Sequence, residues 1–158
     1  MSDVPMVASL SRRQILQVLG AGALGVASLG VSLSPAEATP EATRQAITRL
    51  IGAAPVQAGK ITIQLPQVAE NGHTVPLTVR VDSPMTASHS VQAIHVLAEG
   101  NPNPEVASFY FSRRSGKAEV STRIRLAQTQ DVVALAVMSD GAVYQARTDV
   151  KVTIGGCG

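Results

Sequence analysis

Val75-Pro76-Leu77-Thr78-Val79-Arg80-Val81 decides the fold class. Val75, Leu77, Val79 and Val81 recur at every second position, with Thr78 and Arg80 between them. Alternation of period two marks a strand with one face in a core and the other in water. Asp82-Ser83-Pro84 ends the run with turn residues. Downstream, Val120, Thr122, Ile124 and Leu126 alternate in the same way against Glu119, Ser121, Arg123 and Arg125. Further strands are expected over 61–65, 91–98, 106–112, 132–138 and 142–154, separated by Glu70-Asn71-Gly72, Ser115-Gly116, Ser139-Asp140-Gly141 and the proline-bearing loop 100–105. About seven short strands with polar turns predict an all-β protein, an immunoglobulin-like antiparallel β-sandwich. A short helix is expected to precede it, with Thr39 as N-cap, Pro40 in the first helical position, Glu41 at the positive end and Gly52 as the stop. Ala46, Ile47, Leu50 and Ile51 would form its apolar stripe.

Residues 1–38 read as an address and not as part of this fold. Ser11-Arg12-Arg13-Gln14-Ile15-Leu16 gives a twin-arginine pattern, 18–33 is apolar and rich in Gly and Ala, and Ala36-Glu37-Ala38 is a small-residue cleavage site. A membrane-spanning helix is the competing reading, and four glycines from Gly20 to Gly30 weaken it. The expectation is a twin-arginine (Tat) signal cleaved after Ala38, with Arg12 and Arg13 as its export signal, a periplasmic destination for the folded chain and no membrane attachment after cleavage. The organisation is then a signal at 1–38, a β-sandwich domain with its N-terminal helix at 39–154, and a glycine-rich tail at 155–158.

The mature part holds 120 residues, enough to bury one core without disulfides. It carries 11 Lys plus Arg against 9 Asp plus Glu, scattered along the chain. With no Trp and only four other aromatics there is no stacking platform for single strands, so nucleic-acid binding is excluded. His73 falls in a polar turn, His89 in a loop and His95 within a strand, and no two stand at a ligand-type spacing. No metal site and no cofactor motif is expected. Arg113 and Arg114 form a basic spot beside Ser112, Ser115 and Gly116 that reads as a solvated turn. Residues 100–105, with Pro102 and Pro104, read as a rigid surface loop.

Cys157 is the one cysteine, and it stands in Gly155-Gly156-Cys157-Gly158. It has no partner for an internal disulfide, and a leftover thiol in an oxidising compartment signals reactivity or an intermolecular bond. Glycines on both sides would leave it unplaced for catalysis but free to enter a partner's active site. Gly155, Gly156 and Gly158 are therefore expected to form a flexible arm released at Gly155. From Ile154 to Cys157 an extended chain reaches roughly 10 Å at about 3.3–3.6 Å per residue. Two other roles for the thiol stay open at this point: a disulfide between two copies, and metal delivery with His73 or His89.

The chain resembles the SoxY family, the sulfur-carrying subunits of SoxYZ complexes in bacterial thiosulfate oxidation. The resemblance rests on the twin-arginine segment, Glu70-Asn71-Gly72-His73-Thr74-Val75-Pro76, Val81-Asp82-Ser83-Pro84-Met85-Thr86, the stretch 93–106 around Asn101-Pro102-Asn103-Pro104, and 115–125. Above all it rests on the cysteine among glycines, although the family tail reads Gly-Gly-Cys-Gly-Gly and this sequence has one glycine after Cys157. The resemblance implies that Cys157 holds sulfur covalently, as an S-thiosulfonate and then a persulfide-type adduct, with no other cofactor. It implies a non-catalytic carrier paired with a SoxZ-like subunit, expected on an open apolar sheet face. Transient partners would be the SoxAX haem enzyme, the SoxB hydrolase and, where present, the SoxCD sulfane dehydrogenase.

Overall fold

The computed structural model describes residues 39–156. The signal at 1–38, with Arg12 and Arg13, lies outside the described residues, as do Cys157 and Gly158. Helix α1 runs from Pro40–Ile51. Its start is fixed by Thr39, whose extended backbone turns the side-chain oxygen onto the Ala42 amide at 3.1 Å. Its end is fixed by Gly52, which takes a φ of 64° and gives its N–H to the Thr48 carbonyl at 2.8 Å.

Nine strands follow. They are β1 (Val56–Ala58), β2 (Ile61–Gln64), β3 (Val68–Asn71), β4 (Val75–Val81), β5 (Val91–Ala98), β6 (Glu105–Tyr110), β7 (Ala118–Ile124), β8 (Gln130–Met138) and β9 (Val143–Ile154). They form two sheets, one ordered β1-β9-β8-β5-β6 with β3 also on β9, the other β2-β4-β7. The main ladders are antiparallel, as an immunoglobulin-like sandwich requires. Two strands are additions to the seven expected. β1 pairs parallel with the first residues of β9, Val56 opposite Val143, and β3 pairs parallel with its last, Asn71 opposite Ile154. At three and four residues, they carry too little pattern to be read ahead of the structure.

The core lies between the sheets. Val75, Leu77, Val79 and Val81 of β4 face Ile94, Val96 and Ala98 of β5 and Val132, Ala134 and Ala136 of β8 within one buried cluster. Arg80 points outward and pairs with Glu119 across the β4–β7 ladder at 2.9 Å. The alternation in 75–81 is thus the inside and outside of one sheet.

β5 and β8 are buried on both faces, which is why they read as near-continuous apolar runs. Their second face carries Leu97, Val133 and Leu135, and Ala46 of α1 packs onto these three with Ile47, Leu50 and Ile51 at the margin. Arg49, in the last turn of the helix, reaches Glu105 of β6 at 2.8 Å. This apolar patch of the large sheet is therefore covered by the chain's own helix. Among the described residues no helix is long and apolar enough to cross a membrane.

Candidate functional site

The site begins where β9 ends. Three backbone hydrogen bonds tie that point together: Gly72 N–H donates to the Ile154 carbonyl at 2.7 Å, Leu126 N–H to the Gly72 carbonyl at 2.8 Å, and Gly156 N–H to the Leu126 carbonyl at 2.8 Å. The turn between β3 and β4 and the segment after β7 thus both grip the last described residues. His73 shapes the turn with its backbone, its amide donating to the Asn71 side-chain oxygen at 2.9 Å.

Glycine is required here for space. A Cβ on Gly72 would overlap the Leu126 carbonyl oxygen and stand 2.7 Å from the Gly156 nitrogen. One on Gly155 would overlap the Ala127 carbonyl, and one on Gly156 would come within 2.8 Å of the Gly72 carbonyl and the His73 nitrogen. Real Cβ atoms do not sit at such distances, so the three backbone segments meet because two of them, at Gly72 and at Gly155-Gly156, carry no side chain. The expected point of release, Gly155, falls at this contact. Gly155 is exposed yet lies close to the Ala127 carbonyl, and Gly156 is buried and hydrogen-bonded, so the chain keeps contact with the domain two residues beyond the end of β9.

The segment 125–127 that grips Gly156 lies beyond the end of β7 and is held by a side chain. Asn101 gives its amide N–H to the Arg125 carbonyl at 2.9 Å, and its oxygen accepts the Ala127 amide at 2.9 Å and Gln130 Nε2 at 3.0 Å. Gln130 accepts in turn from the Gly100 amide at 2.7 Å. Asn101 is 4 % exposed with both side-chain polar atoms paired, so the loop 100–105, at the surface at Pro102 and Asn103 as expected, also forms an internal brace at this residue. A side chain with a donor and an acceptor can replace the strand neighbour that 125–127 lacks. Asn within a Gly/Pro-rich loop reads as a turn former, and nothing local in the sequence tells of its burial. Thr129 adds a second hold, its hydroxyl accepting the Val152 amide at 3.0 Å.

The histidines are apart. His73 precedes β4 and His89 follows it, so a strand of about 20 Å separates them. The His89 ring meets Ser88 at 2.9 Å and is exposed. His95 is buried on β5, its Nδ1 at 2.7 Å from the Ser108 hydroxyl and its ring edge-on to Tyr110 at 6.2 Å. Burial lowers its pKa, and the negative charge of Glu105 opposes this without cancelling it. Among the described residues no three His, Cys, Asp or Glu side chains converge as a metal site would need. Arg113 and Arg114 lie on an exposed single 3-10 turn capped by Ser112.

Comparison with known proteins gives two kinds of likeness. The family model described as "Sulfur oxidation protein SoxY" matches residues 47–157. Among solved structures, the sulfur carrier protein SoxY from Chlorobium limicola f thiosulfatophilum is similar at 36% identity over 72% of this chain and 98% of its own, with a TM-score of 0.61. A superoxide reductase (neelaredoxin) from Ignicoccus hospitalis is similar at 22% identity, covering 77% of this chain and 98% of its own, with a TM-score of 0.53. That second likeness shows the fold alone. No curated protein matches the chain.

Proposed function

The chain belongs to the SoxY family of sulfur oxidation proteins, and from that premise we propose that it is a covalent sulfur carrier with Cys157 as its attachment point. The observation that carries this reading is the setting of that cysteine. The family match runs through residue 157, and the residue before it is hydrogen-bonded to a rigid sandwich. In this reading the domain supplies the base from which a thiol one residue beyond Gly156 is offered to partners.

In this reading the chain holds and the partners react. With the SoxAX haem enzyme, the Cys157 thiolate forms a bond to the sulfane sulfur of thiosulfate, and two electrons pass to the haem, leaving an S-thiosulfonate. Water, directed by the SoxB hydrolase, then takes the terminal sulfonate as sulfate, releases protons and leaves a persulfide. Where SoxCD is present, it removes six electrons from the outer sulfur while water supplies the oxygens. A second hydrolysis frees the thiol. A free cysteine has a pKa of about 8.5, so the thiolate is favoured best within a partner's cationic site. Covalent tethering keeps each oxidised sulfur species from escaping and raises its effective concentration at each docking.

A SoxZ-like subunit would complete a heterodimer, with export through the Tat route to the periplasm and no catalytic group of the chain's own. The test is the intact mass of the purified protein before and after thiosulfate with the haem partner, and again after reductant. Reductant-sensitive adducts on Cys157, absent from Cys157→Ser, are expected. An unmodified thiol, or only a disulfide-linked pair of chains, under conditions that load a known carrier would overturn the proposal.

A further inference from the structure

Two independent features meet at the root of the arm. One is the close packing of Gly72, Gly155 and Gly156, which lets the Gly156 amide reach the Leu126 carbonyl. The other is that the peptide units on either side of Leu126 are fixed by one buried side chain, through the Arg125 carbonyl and the Ala127 amide. Without that side chain, the segment after β7 would keep only the Leu126 amide bond to Gly72 among its backbone contacts with the turn.

We infer that Asn101 is a positioning residue for Cys157: acting through Leu126, it holds Gly156 on the domain, so that the thiol swings from Gly156 and not from Ile154. This rests on the carrier reading of Cys157 and adds to it a length and a place. Glycine loses more freedom on ordering than any other residue, so two ordered glycines stay put only where something holds them. The hold here is a hydrogen bond and a backbone contact that any side chain would break. Released, Gly155 and Gly156 would lengthen the arm by about 7 Å at about 3.3–3.6 Å per residue. Held, they oblige a partner enzyme to approach the surface at exposed His73, beside the buried Gly72 and Leu126, and the short tether raises the effective concentration of the thiol there. Asn suits the task because it donates to one peptide and accepts from the next. Asp lacks the donor, and Ala leaves a part-buried carbonyl and a part-buried amide without this partner.

The experiment uses the full protein with a methanethiosulfonate nitroxide on Cys157, the one cysteine of the sequence. Paramagnetic resonance then reads the motion of the arm. The wild type is expected to show a restricted component. Gly156→Ala should convert it to fast motion while leaving the circular dichroism unchanged, since the residue lies beyond the last strand. Asn101→Ala should lower the ratio of held to free arm by about fivefold, the effect of losing roughly one net hydrogen bond. The double variant should be no more mobile than Gly156→Ala. Should alanine at 101 unfold the chain, Asn101→Asp keeps the acceptor, loses the donor and should move the spectrum in the same direction. A wild-type spectrum already in the fast limit would overturn the inference, and so would an Asn101 variant that lowers the melting temperature with an unchanged line shape. Since the label needs no sulfur substrate, a failure here leaves thiosulfate loading of Cys157 untouched, and a failure of loading leaves this result standing.

Discussion

Asn101 Oδ1 and the Ala127 amide stand 2.9 Å apart, joining the loop after β5 to the segment after β7 across 26 positions of sequence. The bond is buried at one end and adjoins the tail at the other, so it serves stability and placement together. Asn101→Ala leaves several polar groups without partners and should cost about 2–3 kcal/mol. Urea unfolding should show a lower midpoint with an unchanged slope, because the surface exposed on unfolding stays the same.

The helix and the sheet it covers should separate in energy. Thr39→Ala removes one cap hydrogen bond at an exposed helix start and should cost about 1 kcal/mol. Leu97→Ala empties the fully buried seat on which Ala46 packs and should cost about 2–5 kcal/mol. Equal losses in a thermal melt would contradict the view that packing, more than capping, holds α1 in place.

Stability should fall with acid through His95. Its folded pKa lies below the ordinary 6.5 because burial disfavours the charged ring, with Ser108, Tyr110 and Glu105 as its polar and charged neighbours. The unfolded chain therefore binds the proton first. The contribution is complete above about pH 6.5 and is lost as the pH drops below it toward the folded value. Melting temperatures measured from pH 7.5 down to 5 should slope downward in the wild type and slope less in His95→Gln. A variant with the same slope as the wild type would assign the effect to other groups.

Arg147 joins Glu99 and Asp131 in one fork, at 2.7 Å and 2.9 Å, on the outer side of the large sheet. Arg147→Lys keeps the charge and loses the planar double contact, so it should cost up to about 1 kcal/mol at low salt and less at high salt. Denaturation at two ionic strengths measures this. A salt-independent loss would point to packing of the arginine stem in place of the fork.

The sequence made the sandwich legible where alternation was long enough to carry it. β4 and β5 fall within the expected bounds, and β9 starts one residue inside them. The cap pair Thr39 and Gly52 set the helix ends because capping is local chemistry. What stayed hidden depends on residues far apart in the chain. β1 and β3 exist because β9 runs past them, and Val-Gln-Ala or Val-Ala-Glu-Asn carries no trace of that neighbour. Gly155 and Gly156 were visible as glycines, yet whether a glycine serves freedom or close approach is decided by what stands opposite it, here Ala127 and Gly72. The same holds for Asn101, whose loop chemistry was plain and whose burial was not.

The parallel pairing of β1 and β3 with β9 also bears on how the chain comes to be folded. Val56 waits for Val143, and Asn71 for Ile154, so the first strands find their neighbours only after the last has been made. Contacts so distant in sequence form slowly and late. A ribosome making this chain would carry a sandwich with one margin unfinished until β9 has emerged, and the Gly72 to Ile154 bond would close only after that. The tail is thereby set in place only on a domain that has completed itself, which makes its placement a built-in sign of maturity.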